Sequence, residues 1–193
     1  MSKETLNKTF QNIILSFFKK NLKKLVILSI FCILILFTFF FYNDLQKKKE
    51  IKLSENYTLA SIQFKEKKKV EAKLLLENII NESHKFYSPL ALYFIIDNNL
   101  ETDSLKIINS FDKILLIRSI DKENLNLIKI KKAIFLFKSG DEESITKTLN
   151  PIINSDSVWR YMAIELISDY FLSKNQNVKA KEYIQLLNNK IKE

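Results

Sequence analysis

From residue 43 to its end, the chain alternates between apolar stripes and short polar clusters. The apolar residues recur every three to four positions, which is the period of an amphipathic α-helix, and no strand-like alternation persists. Helix breaks are predicted at the polar clusters 66–69, 81–87, 98–101, 118–123, 139–141, 153–157 and 174–177. The pattern predicts an all-α fold with about eight helices of roughly 12 to 20 residues.

Residues 25–42, LVILSIFCILILFTFFFY, form a different pattern, because they are apolar all round and carry no charge, Gly or Pro. As a helix they would extend about 27 Å, close to the roughly 30 Å hydrocarbon core of a bilayer. A core helix would show a polar stripe, and a cleaved signal would end in small residues. We therefore predict an N-terminal arm at 1–24, an uncleaved transmembrane helix at 25–42 and a helical domain at 43–193.

Within the arm, residues 5–18 place their apolar side chains on one helical stripe, which predicts a short amphipathic helix. The stripe consists of Leu6, Phe10, Ile13, Ile14, Phe17 and Phe18. This helix would lie either in the membrane interface or against a partner. Further along, Ser88 before Pro89 predicts a capped helix start, and Gly140 before Asp141 predicts the end of one helix and the start of the next.

The predicted helices form about four pairs, and the pairs repeat. In each pair one position of the first helix lies twelve residues before a matching position of the second. The matched positions are Ala60 with Ala72, Leu92 with Ser104, Ala133 with Ile145, and Ser168 with Ala180. The second members are 32, 41 and 35 residues apart. These spacings average near the roughly 34-residue tetratricopeptide period, with an insertion near 118–123, and predict a tetratricopeptide-like α-solenoid.

The net charge of +9 is concentrated beside the apolar run. Residues 1–24 carry +5 and residues 43–52 carry +2, whereas the 141 residues that follow carry only +2. Lysines beside a membrane span meet anionic lipid headgroups. The nearly neutral helical domain argues against a nucleic-acid partner.

The residues that chemistry usually needs are scarce. The chain has one cysteine, Cys32, inside the apolar run, one histidine, His84, and one glycine, Gly140. A His and Cys metal site, a Ser-His-Asp triad and a Gly-rich phosphate loop each need more of these residues. We therefore expect no enzyme activity, no cofactor, no metal and no small-molecule substrate.

The segment LNPIINSDSVWRYMAIELISDYFLSKNQNVKAKEYIQLL resembles the last repeat of the YfgM-like family, ancillary subunits of the bacterial SecYEG translocon, in its alphaproteobacterial form. The matching residues are Leu149, Pro151, Trp159, Arg160, Ala163, Glu165, Leu166 and Ala180. FFKKNLKK and YSPLALYF also resemble that family, so the resemblance spans the chain. A turn glycine of the family is replaced in KNQN, which puts that turn's geometry in question.

The resemblance implies a single-span protein of the bacterial inner membrane, with a cytoplasmic N-terminus and periplasmic repeats. It also implies two protein partners, the SecYEG translocon and a membrane-anchored periplasmic chaperone. The lysines favour this orientation only when the whole arm is counted. An envelope scaffold for cell division or cell-wall synthesis is the alternative function.

The first helices of such an array line a concave groove. By the family's positional pattern, the groove-facing residues are Tyr57, Phe64, Tyr93, Ile134 and Phe137. Exposed aromatic side chains there would suit an extended or nascent chain, or a partner helix. The competing interpretation is that the same rings belong to the core.

The anchor prediction has a direct test, which is the mass of the protein extracted from its native membrane. We expect the full mass of the 193-residue chain and resistance to carbonate extraction, because an apolar helix of this length stays in the bilayer. A soluble mature form beginning near residue 43 would contradict the transmembrane assignment.

Overall fold

The computed structural model describes residues 3–139 and 142–188, excluding the side chains at 3–19, 25, 28, 139 and 188. These residues contain no strand and form eight helices, which confirms the all-α prediction. The helices are α1 (Lys3–Lys65), α2 (Lys69–Asn81), α3 (Tyr87–Asp97), α4 (Ser104–Leu115), α5 (Lys122–Ser139), α6 (Glu142–Ile153), α7 (Arg160–Ser173) and α8 (Asn177–Asn188).

Within the described part of the chain, the predicted breaks fall at turns between helices. The lengths differ more than predicted, because α1 has 63 residues and α3 has 11. Two predictions lie outside the described residues: the side-chain stripe on residues 5–18, and the cap at Gly140 and Asp141.

The start of α3 differs from the predicted cap at Ser88. The helix begins two residues earlier than a cap at Ser88 would place it, at Tyr87 with Phe86 as the N-cap, and the Ser88 side chain is fully buried. Its hydroxyl donates to the Ile79 carbonyl of α2 at 2.9 Å and accepts from the His84 N–H at 2.9 Å. Ser88 therefore links α2 to α3 instead of capping α3, because a buried hydroxyl must find partners within the protein. Pro89 lies in the first turn, as predicted.

The chain divides into two compact units, Met1–Lys52 and Leu53–Glu193, and each is described by itself. The first unit contributes one N-terminal helical stretch, which among the described residues is long and apolar enough to cross a membrane. None of its most apolar window is buried inside the protein. A core helix of a soluble domain would be mostly buried, so this window does not pack as a core helix would.

The second unit has two core clusters. One gathers buried residues from Leu53 to Ile128, and the other gathers buried residues from Ile130 to Ala180. From α2 to α8, each helix packs against the next one along the chain, and α5 also packs against α7. The core is thus built mainly from helices that are adjacent in the chain. The first core cluster ends and the second begins within α5, between Ile128 and Ile130.

The positions matched in the sequence lie where the helices pack closely. Seven of the eight are buried, and Ser104 is half-buried. Most of these side chains are small, and small side chains let two helix backbones approach each other. The arrangement in pairs therefore has a packing basis in the second unit.

Three turns between paired helices use the same backbone device. Lys67, Asn99 and Asn175 have left-handed φ angles of 65°, 49° and 58°. Each lies seven residues after a matched position, and Gly140 occupies that place in the sequence of the third pair. At each turn the next residue's N–H donates to a carbonyl five residues back, at 2.9 Å: Lys68 to Gln63, Leu100 to Ile95, and Gln176 to Phe171. This pattern ends a helix in a Schellman motif, which usually uses Gly.

Arg160, one of the residues that carry the family resemblance, links the ends of two helices. Its Nε donates to the Ile153 carbonyl at 2.9 Å, and its Nη2 donates to the Leu186 carbonyl at 3.2 Å. Both carbonyls lie near helix C-termini, where a cation also offsets the helix dipole. Arg160 thus holds α6 and α8 together, while Trp159 packs against the second core cluster.

The strained turns predict that Lys67→Gly raises the free energy of unfolding by about 0.5–1 kcal/mol, because Gly adopts positive φ without a Cβ clash. Asn175→Gly should raise the free energy of unfolding by less, since Asn tolerates this conformation better than Lys. The matched control is Lys181→Gly inside α8, which should lose about 0.5–1 kcal/mol of stability. Denaturant unfolding followed by circular dichroism measures all three. A loss of stability for Lys67→Gly would contradict the assigned turn.

Candidate binding groove between α3 and α5

Two aromatic pairs join first helices of successive pairs. The Phe64 ring of α1 meets the Phe94 ring of α3 edge to face, with centroids 5.5 Å apart and planes at 88°. The Phe137 ring of α5 meets the Tyr170 ring of α7 in the same way, at 5.6 Å and 82°. Aromatic rings prefer this geometry, which aligns the positive edge of one ring with the negative face of the other.

The two pairs occupy equivalent places in the sequence. Phe64 and Phe137 each lie four residues after a matched alanine, at positions 60 and 133. Their partners Phe94 and Tyr170 each lie two residues after the matched position of the following pair, at 92 and 168. Contacts between α1 and α3 and between α5 and α7 therefore share one register.

Between α3 and α5 the same register places Ile96 and Phe135, so one aromatic ring is missing. Both residues line a cavity of about 680 Å³. Phe135 contacts the Phe111 ring of α4 instead, at 6.2 Å between centroids. The aliphatic side chain at this register position thus coincides with a cavity between α3 and α5.

A second cavity, of about 530 Å³, continues along the same two helices. Leu90 and Tyr93 of α3 line both cavities, so the two are adjacent. The lining residues of α5 run from Asn124 to Lys138 at helical spacing, over roughly 21 Å. We call these two cavities the α3–α5 groove. Their volumes fall within the usual range for binding sites.

Tyr93 lies at the centre of the groove. It is half-buried, and burial raises the pKa of its hydroxyl to about 12, so the phenol stays neutral at physiological pH. The Lys131 ammonium lies 5.8 Å from the centre of its ring, within the range of a cation–π contact.

One of the two carboxylates lining the larger cavity is already neutralised. Glu101 accepts from Lys73 at 2.7 Å, and Lys106 lies 3.7 Å away. The Lys73 hydrogen bond, with those of the Asp103 and Thr102 N–H groups, lowers its pKa to about 2. Lys131, Lys138 and Asp97 supply the remaining charges of the lining, so its lysines outnumber its uncompensated carboxylates.

The structure brings two of the five sequence-predicted groove residues together. Tyr93 and Ile134 line the same cavity, and Ile134 is 47% exposed. Tyr57, Phe64 and Phe137 are half-buried and pack between helices. Tyr57 meets the rings of Phe94 and Tyr87, at 5.9 Å and 6.5 Å. These three residues do not line the α3–α5 groove.

Sequence reasoning missed Leu90, Ile96 and Lys131. The sequence does distinguish Ile96, because this residue occupies the register position that holds Phe64 in α1 and Phe137 in α5. No sequence feature distinguishes Leu90 or Lys131, since a leucine or lysine on a helix is equally compatible with core or surface.

The described residues offer no group of three or more His, Cys, Asp or Glu side chains placed to hold a metal ion. His84 has a local structural role, because its Nδ1 accepts from the N–H groups of Phe86 and Tyr87, each at 3.2 Å. These contacts use donors of the first turn of α3 that have no partner inside the helix.

Comparison of the chain with protein-family models, curated proteins and solved structures gives no match.

The edge-to-face pairs predict that Phe64→Ser and Phe137→Ser each lower the free energy of unfolding by about 2–4 kcal/mol, since each removes half-buried apolar surface and a ring contact. Ile184→Ser, at a side chain that is 40% exposed, is the control and should cost less than about 1 kcal/mol. Thermal melts decide the question. Normal melting with lost partner binding would instead mean that the two rings serve the groove.

Proposed function

We propose that this chain is a membrane-anchored, non-enzymatic interaction protein whose helix pairs form a tetratricopeptide-like solenoid. The left-handed turns, the two ring pairs and the buried matched positions support this repeat, because all three recur in one register. The packing of α5 on α7 and the α1–α3 ring contacts match an array in which first helices adjoin.

The observation that carries the binding function is the α3–α5 groove. Its walls are two first helices that combine apolar side chains with lysine and carboxylate groups. A groove of about 21 Å accommodates roughly six residues of an extended polypeptide at 3.3 Å per residue. Its occupant on this proposal is a segment of a partner or client protein, held by apolar contacts and oriented by the charges.

The anchor defines where such binding takes place. Residues 25–42 hold the protein in the bacterial inner membrane, with the N-terminus in the cytoplasm and the helical domain in the periplasm. A groove tethered there has a high effective concentration for chains that emerge at the same membrane. With the sequence resemblance, this supports an ancillary subunit of the SecYEG translocon that also contacts a membrane-anchored chaperone.

Site-specific photo-crosslinking tests this function. A photoreactive amino acid at position 93 or 134 of the full chain, in its native membrane, should crosslink to translocon subunits, the chaperone or translocating clients, because both positions line the groove. The same group at position 184, on the surface of α8, is the control. Partners are identified by mass spectrometry. Crosslinks from positions 93 and 134 to proteins of division or cell-wall synthesis would favour the scaffold function instead. The absence of any groove-specific crosslink would refute both proposed functions.

A further inference from the structure

We propose that the larger cavity of the α3–α5 groove is a receptor site for one aromatic side chain, presented by an acidic polypeptide segment. This rests on the proposed interaction function and names the chemistry of the partner. The partner's ring would take the place that an aromatic side chain of the chain itself takes at the two equivalent helix contacts.

The shared register carries the first part of this inference. At the α1–α3 and α5–α7 contacts, Phe64 and Phe137 each place a ring against an aromatic residue of the next first helix. Between α3 and α5 the equivalent residue is Ile96, while the position of the receiving residue holds an aromatic side chain, Phe135. The cavity lies beside both of them. The fold therefore retains the receiving half of an aromatic pair and leaves space beside it.

The remaining walls suit a ring as well. Tyr93 and Ile134 add aromatic and aliphatic surface, and Phe111 closes the cavity from α4. Binding of an apolar group is favourable here, because it displaces water from half-buried and exposed apolar walls. An aromatic side chain adds directional ring contacts with Tyr93 and Phe135, which an aliphatic side chain lacks.

The charge around the cavity carries the second part. Glu101 is held by Lys73 and Lys106, so it attracts a further cation only weakly. Lys131 and Lys138 then face a single other carboxylate, Asp97, among the lining residues. Two lysines beside one carboxylate without an ion pair favour a segment with Asp or Glu next to its aromatic residue, through attraction that salt weakens.

Filling the cavity from within tests the proposal. Ile96→Phe should restore the ring that the register lacks, so it should occlude the site while preserving the fold. Ile184→Phe makes the same substitution on α8, outside the groove, and is the matched control. Ile134→Arg is a second blocking variant at an exposed helix position, for use if Ile96→Phe fails to fold.

The probe is a short fluorescent peptide with one Trp between Asp and Glu residues, and binding is measured by anisotropy with the full chain in lipid nanodiscs. We expect Ile96→Phe and Ile134→Arg to weaken binding about 10-fold or more, as for a lost anchor residue, and Ile184→Phe to leave it unchanged. Peptides with Ala for Trp, or with Lys for the acidic residues, should bind about 10-fold more weakly or worse. Equal binding of the Trp and Ala peptides, or unchanged binding by both folded blocking variants, would overturn the proposal.

Repeating the crosslinking at position 93 with Ile96→Phe separates this proposal from the broader one. Loss of the groove-specific crosslink in this variant supports both the aromatic site and the interaction function. Crosslinks that persist, together with no peptide binding, overturn the aromatic site and leave the interaction function standing. Peptide binding without any groove-specific partner supports the site and refutes the interaction function.

Discussion

The helical domain is built on the packing of each helix against the next one along the chain, and ring contacts between successive first helices add a second link. At two of these contacts an aromatic ring reaches an aromatic residue about thirty positions later in the chain, with centroids 5.5–5.6 Å apart. Rings fix both the distance and the register between two helices, because edge-to-face packing tolerates little sliding. Between α3 and α5 the same register has Ile96 in place of a ring, and a cavity of about 680 Å³ lies there.

The register also depends on the turns between paired helices. A left-handed residue ends three of the first helices and directs the chain into the second helix. The chain uses Lys67, Asn99 and Asn175 there, so each turn carries a conformational cost that Gly would avoid. Polar links such as Ser88 to Ile79 and Arg160 to Ile153 and Leu186 satisfy backbone groups that the helix ends leave open. Tight turns and these links bring helices of neighbouring pairs into contact.

The apolar N-terminal stretch and the helices of the second unit are stabilised in different ways. A helix apolar on every side is stable in lipid, where no partner face is needed, whereas the helices of the second unit are stable because they cover one another. On the proposed function, membrane tethering would raise the effective concentration of partners at the same membrane, so the modest contacts of two short cavities would suffice for binding.

The sequence by itself determined the helical fold, the helix breaks, the apolar span and the matched positions that are buried in pairs. These features follow from local rules, because helical periodicity, breaker residues and apolar length act within a few turns. The tertiary structure decided which aromatic residues face one another and which line a cavity. Tyr93 and Phe64 are both aromatic residues of first helices that were predicted to face a groove, yet one lines the α3–α5 groove and the other packs against Phe94. That difference arises from packing between helices some thirty residues apart, which the local pattern does not encode.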